Sequence, residues 1–478
     1  MPPALWLVAL PIGAVPIVFL FRQVKLGAAI AAVMALFSAW LALRLPVGVV
    51  LNLLGRTIEL DRLSQLTLAL AFLATAVLFL IPLFSPSSAS RSAHGGIKRG
   101  VERIFYPVGL AILGLFVVAS LSRHLGITAI FIEAAAILTV FVIQGQRLDS
   151  IRAALRFLTL MSLATPLFLL AAWRIDLYQL SGGQIAAADL NQIVLFVSLG
   201  FALWLAIVPF HSWSTTAAAE SSPTTAAFVL IIFPAVTFSI LIHLLADLPW
   251  LVDSSQLVTV IIAAGVLTAF VGGMLAGIQR GFSELMGYAA LFDAGAILTV
   301  LGIGGQAALI TILVALCTRA LALTLIAAST ATLRLQVASD GFAHVKGLAR
   351  RMPLASAGLI IGGLTLAGAP LTAGFATRWQ LLRSIAEVNS YGPVLLALAG
   401  LGVAIGYLRG FRAILTLDDP SQNQPGRSPG SAPTFQEPGL LLLLVGLLIL
   451  ACILTGLFPS LIIEPLQRLT FGLTIPIG

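Results

Sequence analysis

Long apolar runs separated by short polar segments make up most of this chain. A helix needs about 20 apolar residues to cross the hydrocarbon core of a bilayer. Inside that core every backbone polar group has to be satisfied within the protein, which favours helices. Runs of the required length fall at approximately 4–21, 27–53, 64–84, 104–122, 125–144, 153–173, 190–218, 222–246, 256–278, 284–303, 306–333, 353–388, 392–416 and 438–458. The pattern predicts an all-α, polytopic membrane protein of about 14 transmembrane helices.

Two of these runs are unusually long and contain a proline with polar neighbours. In the seventh, "LAIVPFHSWSTTAAAESSPTTAAF" places Pro209, His211 and Glu220 between apolar stretches, and the twelfth is interrupted at Pro370. Neighbouring helices can absorb a simple proline kink, but a kink does not need polar residues beside it. Both spans are therefore expected to be discontinuous. The breaks lie five helices apart, as expected for an internal repeat, and an odd number of spans per repeat inverts the second copy in the membrane. The expected organisation is residues 1–103 for helices one to three and a loop, and 104–246 and 247–416 for two inverted five-helix repeats. Residues 417–478 hold a loop, helix fourteen and a tail.

Composition sharpens this picture. Apolar residues make up 59% of the chain and charged residues only 9%, far below the quarter or so of a soluble domain. The net charge of +8 could suggest nucleic acid, yet no basic-aromatic platform exists to bind it. Instead, Arg and Lys concentrate in the loops after odd-numbered spans, including Arg22, Lys25, Arg91, Lys98, Arg99, Arg147, Arg334, Lys346, Arg350, Arg351 and Arg427. Loops after even-numbered spans hold chiefly Arg44, Arg56, Arg62, Arg123 and Arg174. Positive loops stay on the cytoplasmic side, so both termini are expected outside, in a bacterial plasma membrane. The N-terminus lacks a basic leader region and a small-residue cleavage site, and reads as a first span. The polar stretches "SPSSASRSAHGGIKRG" and "DDPSQNQPGRSPGSAP" read as surface connections, with His94 as a solvated loop residue. Cys317 and Cys452 are far apart in apolar segments, and no metal-ligand spacing is present.

The remaining signal is a handful of ionisable residues in apolar runs, which are costly in lipid and by default functional. Glu133 lies inside span five. Arg319 lies in span eleven, and Arg378 follows the break in span twelve, where it could also reach toward the interface. Both arginines carry a permanent charge and do not release protons. His211 can relay protons near neutral pH, Glu220 follows it, and Asp293 in "RGFSELMGYAALFDAG" lies deep in span ten. Glu284 is expected at the interface, and His243 and Asp247 at the outer end of span eight. No phosphate-binding glycine loop, nucleophile elbow, or haem or iron–sulfur ligand pattern occurs. No cofactor is expected on this chain.

"GFALWLAIVPFHSW" followed by Glu220, and "GLARRMPLASAGLIIGGLTLAGAPLTAGFATRW", closely resemble the two broken helices of the antiporter-like proton-translocating subunits. These are the large membrane subunits of respiratory complex I, membrane-bound hydrogenases and multisubunit sodium/proton antiporters. "ALAGLGVAIGYLRGF" and "GIQRGFSELMGYAAL" match more loosely, and the likeness covers roughly residues 100 to 416. It implies a row of buried ionisable residues beginning at Glu133. It also implies partner membrane subunits that supply redox energy, and protons or sodium as the moving ion.

The chain departs from the family at its centre. The lysine positions of helices seven and eight fall on Trp204 and near Phe233. Arginines replace the titratable groups of helices eleven and twelve, and Thr216 and Ala218 replace an aspartate and a histidine. All three lysines of the chain lie in loops. A buried lysine can be tuned to lose its proton, which tryptophan, phenylalanine and arginine cannot do. The expected function is a membrane subunit of a complex I-like NAD(P)H/quinone oxidoreductase or related redox assembly, with proton conduction altered or lost. A non-conducting structural subunit and a stand-alone cation/proton antiporter remain as alternatives.

Overall fold

The computed structural model describes residues 3–22, 25–53, 56–84, 102–144, 150–181, 187–252, 255–337, 339–388, 391–416 and 439–470. His94 and the loop cations Arg91, Lys98, Arg99, Arg147 and Arg427 lie outside the described residues. In chain order the elements are α1 (Pro3–Leu20), α2 (Lys25–Arg44), β1 (Val50–Leu53), β2 (Arg56–Glu59), α3 (Arg62–Phe84), α4 (Glu102–Leu121) and α5 (Leu125–Gln144). They continue with α6 (Ser150–Leu180), α7 (Ala187–Trp204), α8 (Ser212–Glu220), α9 (Pro223–Asp247), α10 (Pro249–Val252), α11 (Ser255–Ile278) and α12 (Phe282–Ile303). The remainder are α13 (Gly305–Leu333), α14 (Leu348–Arg351), α15 (Pro353–Ala367), α16 (Phe375–Val388), α17 (Gly392–Leu415), α18 (Gly439–Leu457) and α19 (Ser460–Leu469).

Among the described residues, 11 helices are long and apolar enough to cross a membrane, and three shorter apolar helices lie at Ala4–Leu20, Asp189–Trp204 and Pro353–Ala367. The protein is a polytopic helical membrane protein. Large apolar side chains such as Leu440, Leu443, Leu447, Leu450 and Leu454 line the exposed face of α18, a surface suited to lipid and too greasy for water.

Among the described residues the chain is all-helical apart from one short hairpin, which shortens the second span. Span two was expected to reach residue 53, but α2 ends at Arg44 and the chain turns into a hairpin. Strands β1 and β2 pair antiparallel with Val50 opposite Glu59 and Leu53 opposite Arg56. Pro46 cannot donate a helical hydrogen bond, and Gly48 adopts a left-handed φ of 79° that a glycine tolerates without strain. The β-branched Val49 and Val50 then favour extension. Span six is longer than expected, running from Ser150 to Leu180. The tail adds α19, with Leu466 turned inward and Glu464 and Arg468 outward.

The centre of the bundle is α9, α12 and α13, whose side chains are almost all buried, while α2, α6, α11, α17 and α18 each leave one face exposed. Close approach of backbones replaces hydrophobic driving force in lipid, so small residues line the tightest contacts. On α11, a Cβ at Gly272 would lie 2.6 Å from the Phe292 backbone nitrogen of α12.

The loop after α13 closes back onto α12. Gly281, the N-cap of α12, has no side chain to cap the helix, and Asp340 supplies the missing acceptor. Its Oδ2 accepts from the Ser283 N–H at 2.9 Å and from Ser283 Oγ at 2.5 Å, and Arg334 Nη2 pairs with its Oδ1 at 3.3 Å. Burial pushes the Asp340 carboxyl up, but Arg334 and the Ser283 hydrogen bonds outweigh it and leave it below its ordinary value.

Two outcomes follow. Gly272→Val should force α11 from α12 and cost about 1–3 kcal/mol, read as a lower melting temperature in detergent. Because the Asp340 carboxyl is depressed in the folded state, its contribution is complete above the ordinary carboxylate range near 4 and is lost progressively below it, as the pH falls through the lower folded-state value. Asp340→Asn should flatten that acid limb in thermal unfolding followed against pH.

Candidate functional site

Each broken span leaves carbonyls at the end of its first half without helical partners, and a side chain from the second half reaches back to one of them. In the first break α7 stops at Trp204, Ala206 takes a left-handed φ of 57°, and α8 starts at Ser212. Trp213 Nε1 donates at 2.9 Å to the Leu203 carbonyl, whose backbone donor is the Ala206 N–H at 3.4 Å. In the second, α15 stops at Ala367, Gly368 is a left-handed cap and Leu371 has φ 68°. Arg378 Nη2 on α16 donates to the Leu366 carbonyl at 3.1 Å. Leu203 and Leu366 are both the penultimate residues of their half-helices. The device is the same in both halves, but one donor is a neutral indole and the other a permanent cation.

Arg378 extends this bond into a buried cluster. Its Nη2 also donates to Asp293 Oδ1 on α12. Arg319 Nη1 on α13 donates to Asp293 Oδ2 at 2.8 Å and to the Ala290 carbonyl at 2.8 Å. Arg319 Nε donates to the Leu230 carbonyl of α9 at 3.0 Å. That carbonyl is free because its helical partner would be the N–H of Pro234, which proline lacks. The Phe292 ring lies 4.6 Å from the Arg378 guanidinium carbon, in range of a cation–π contact. One carboxylate thus sits between two guanidinium groups, all three residues at least nine-tenths buried. Arg378 does not reach for the interface; its charge is turned inward.

The other expected path residues do not join this cluster. Glu133 is half-exposed on α5, beside the exposed Ile130 and Ile137. It accepts from Ser162 Oγ at 2.5 Å and Thr165 Oγ1 at 3.0 Å, both on α6. Glu220 ends α8, and its Oε2 accepts from the Ala153 N–H at 3.0 Å in the first turn of α6, where helix N-termini favour an anion. Ala153 and Ser162 are nine positions apart, about 13 Å along the helix axis. His211 is half-buried at the N-cap of α8 and shares no hydrogen-bond partner with Glu133, Glu220 or Asp293. Pro209 and Pro370 both lie in the irregular segments between half-helices.

Aromatic side chains fill the positions where the resemblance implies central lysines. Trp204 is 1% exposed, with ring centroids 4.0 Å from Phe168 and 5.9 Å from Phe201. Phe233 is also 1% exposed and packs edge-on against Phe116 at 4.9 Å and Phe157 at 5.2 Å. Phe157 continues to Trp213 at 5.3 Å. These edge-to-face contacts favour dry packing.

Sequence reading missed Ser162 and Thr165, although their i, i+3 spacing in an apolar run puts two hydroxyls on one helix face. It also missed the pairing of Asp293 with both arginines, which no local pattern encodes. Among the described residues no group of three or more His, Cys, Asp or Glu is placed to hold a metal ion.

Removing one member of a buried ion cluster leaves the others uncompensated, which typically costs 3–5 kcal/mol. Asp293→Asn should therefore strand two buried guanidinium charges and deplete the protein from membranes, measured as steady-state abundance. Replacing all three members together by apolar residues of similar volume (Arg319→Met, Asp293→Leu, Arg378→Met) should restore abundance.

The pattern describing the NADH:quinone oxidoreductase/Mrp antiporter transmembrane family matches residues 122–405. NADH-quinone oxidoreductase subunit N of Rhodopseudomonas palustris is 31% identical over 220 residues, which is 45% of this chain and 46% of that protein. Subunit N of Moorella thermoacetica is 28% identical over 379 residues, covering 73% of this chain and 74% of that one. Thus the aligned part spans about half of the first relative's length and about three quarters of the second's. A chain of respiratory complex I from Thermus thermophilus superposes with a TM-score of 0.71 at 20% identity, over 97% of this chain and 99% of that chain. With two broken helices and a family match over more than half its length, this chain belongs to the NADH:quinone oxidoreductase/Mrp antiporter transmembrane family.

Proposed function

We propose that the chain is a membrane subunit of a redox-driven assembly of the complex I type, in which it seals and braces the membrane part without carrying protons through its own middle. In that assembly the redox centres belong to partner subunits. Pairing α7 with α8 and α15 with α16 as single broken spans makes fourteen spans. The helices from α4 to α9 and from α11 to α17 then form two inverted five-helix repeats. The matching reach-back bonds of Trp213 and Arg378 support that repeat. The charge distribution of the loops supports an orientation with both termini outside a bacterial plasma membrane.

The observation that carries the non-conducting reading is the buried aromatic packing at Trp204 and Phe233. A proton crossing the bundle needs titratable groups or water in succession, and these rings provide neither. In the second half, Asp293 has both oxygens committed to guanidinium groups that do not deprotonate. The cluster has the character of a fixed joint between α9, α12, α13, α15 and α16.

A second reading, conduction along the α5–α6 face, is favoured by Glu133, which is half-buried and held by two hydroxyls. One substitution separates the two. Glu133→Gln in the native assembly keeps the shape and removes the charge. Protons moved per electron should stay unchanged while the co-purifying subunits remain together. A fall in that ratio with assembly intact would transfer the assignment to the conducting reading. Purification of the chain alone with ion-transport activity would instead favour a stand-alone antiporter.

A further inference from the structure

Four connections that the sequence places after even-numbered spans converge on one polar cavity of about 400 Å³. Strand β2 contributes Glu59, the α4–α5 junction Arg123 and His124, the end of α6 Asp176 and Gln179, and the end of α9 His243 and Asp247. Arg123 pairs with Glu59 at 3.3 Å and with Asp247 at 3.6 Å. Asp61 borders the same cluster just before α3. Its carboxyl accepts from the Leu63 N–H at 3.3 Å and the Ser64 N–H at 3.1 Å, capping the helix. Asp61 Oδ2 lies 2.8 Å from His243 Nε2. Arg62, next in the chain, turns away to Gln65.

The two histidines here are not equivalent. His124 Nδ1 accepts the Ile127 N–H at 3.3 Å, capping α5, and its Nε2 faces Asp176 at 3.2 Å. That bond assigns the tautomer: Nδ1 is the acceptor and Nε2–H the donor. Protonating His124 would put an N–H against an N–H and lose the cap. The His243–Asp61 contact carries no such conflict. Burial pushes the Asp61 carboxyl up, but His243, Ser64 and Arg123 outweigh it and hold it well below the usual carboxylate range. Asp61 is therefore a fixed anion across the neutral range, and any proton taken up at this contact goes to the imidazole.

We propose that His243 and Asp61 form a proton-operated clasp on the outer aqueous face. Uptake of one proton by His243 turns a neutral hydrogen bond into an ion pair and tightens the end of α9 against the capped first turn of α3. Charge-assisted bonds are about twice as strong as neutral ones, so the clasp is firm on the acid side and slack on the alkaline side. In an assembly that delivers protons outward, this subunit would stiffen as the outer face acidifies. Facing groups from every neighbouring element are Glu59, Asp61, Arg123, His124, Asp176 and Asp247; Arg123 keeps its charge, and the Ile127 cap occupies the His124 nitrogen that a second proton would need, which leaves the His243 imidazole as the acceptor. That this face is the outer one rests on the orientation proposed above; the clasp itself does not.

The test is hydrogen–deuterium exchange of the peptide carrying the Leu63 and Ser64 amides. It is performed on the native assembly in sealed vesicles and corrected for intrinsic exchange. Protection should rise by roughly three- to tenfold when the outer pH falls from about 8 to about 6, the imidazole range. His243→Gln retains a side-chain N–H donor but cannot titrate, and should leave protection independent of pH. His124→Asn keeps an acceptor for Ile127 and should preserve the wild-type response. Equal protection at both pH values with either side varied, or an unchanged response in His243→Gln, overturns the clasp. A response to inner pH alone overturns the orientation.

Discussion

A bilayer core offers no water to a stray carbonyl or charge, and every part of this fold answers to that constraint. Interrupting a helix at mid-depth exposes backbone groups that something must satisfy. The chain interrupts two, and satisfies one carbonyl at each break with a side chain from the following half-helix. Trp213 serves α7 and Arg378 serves α15. A third free carbonyl, at Leu230, arises from Pro234 inside α9 and is taken by Arg319. Helix breaks and buried cations are two sides of one physical arrangement.

That arrangement separates the halves. Where the donor is an indole, the surroundings can stay apolar: Phe157 packs on it, and Phe233 and Phe116 continue the line of rings beyond. A guanidinium donor brings a charge that needs an acid, and Asp293 stands between Arg378 and Arg319. Aromatic rings pack beside the first break and a buried charge cluster forms at the second. Two chemically different solutions serve the two breaks.

Ionisable groups near the ends of the helices behave differently. Asp340 caps α12 from the loop after α13, Asp61 caps α3, and Glu220 bonds the first turn of α6. Each carboxylate supplies an acceptor to a helix start, where the backbone leaves N–H groups unpaired and the dipole favours negative charge. His124 does the same for α5 with a ring nitrogen. Of the acids expected on the ion path, Glu220 bonds a helix start, whereas Glu133 accepts from two hydroxyls of α6.

The membrane class, the approximate spans and the two interruptions were legible in the chain because they depend on local properties: run length, apolar content and proline's missing N–H. The hairpin at residues 50–59 was not, because its valines and leucines carry the same hydropathy as a helix and only Pro46 and Gly48 mark the turn. Which buried charges meet was decided by tertiary structure alone. Asp293, Arg319 and Arg378 lie up to 85 positions apart, and His243 is 182 positions from Asp61. Hydropathy is a property of each stretch by itself, whereas an ion pair exists only once helix packing has fixed which faces touch. The sequence therefore determined how many charges had to be accommodated in lipid, and the packing determined their partners.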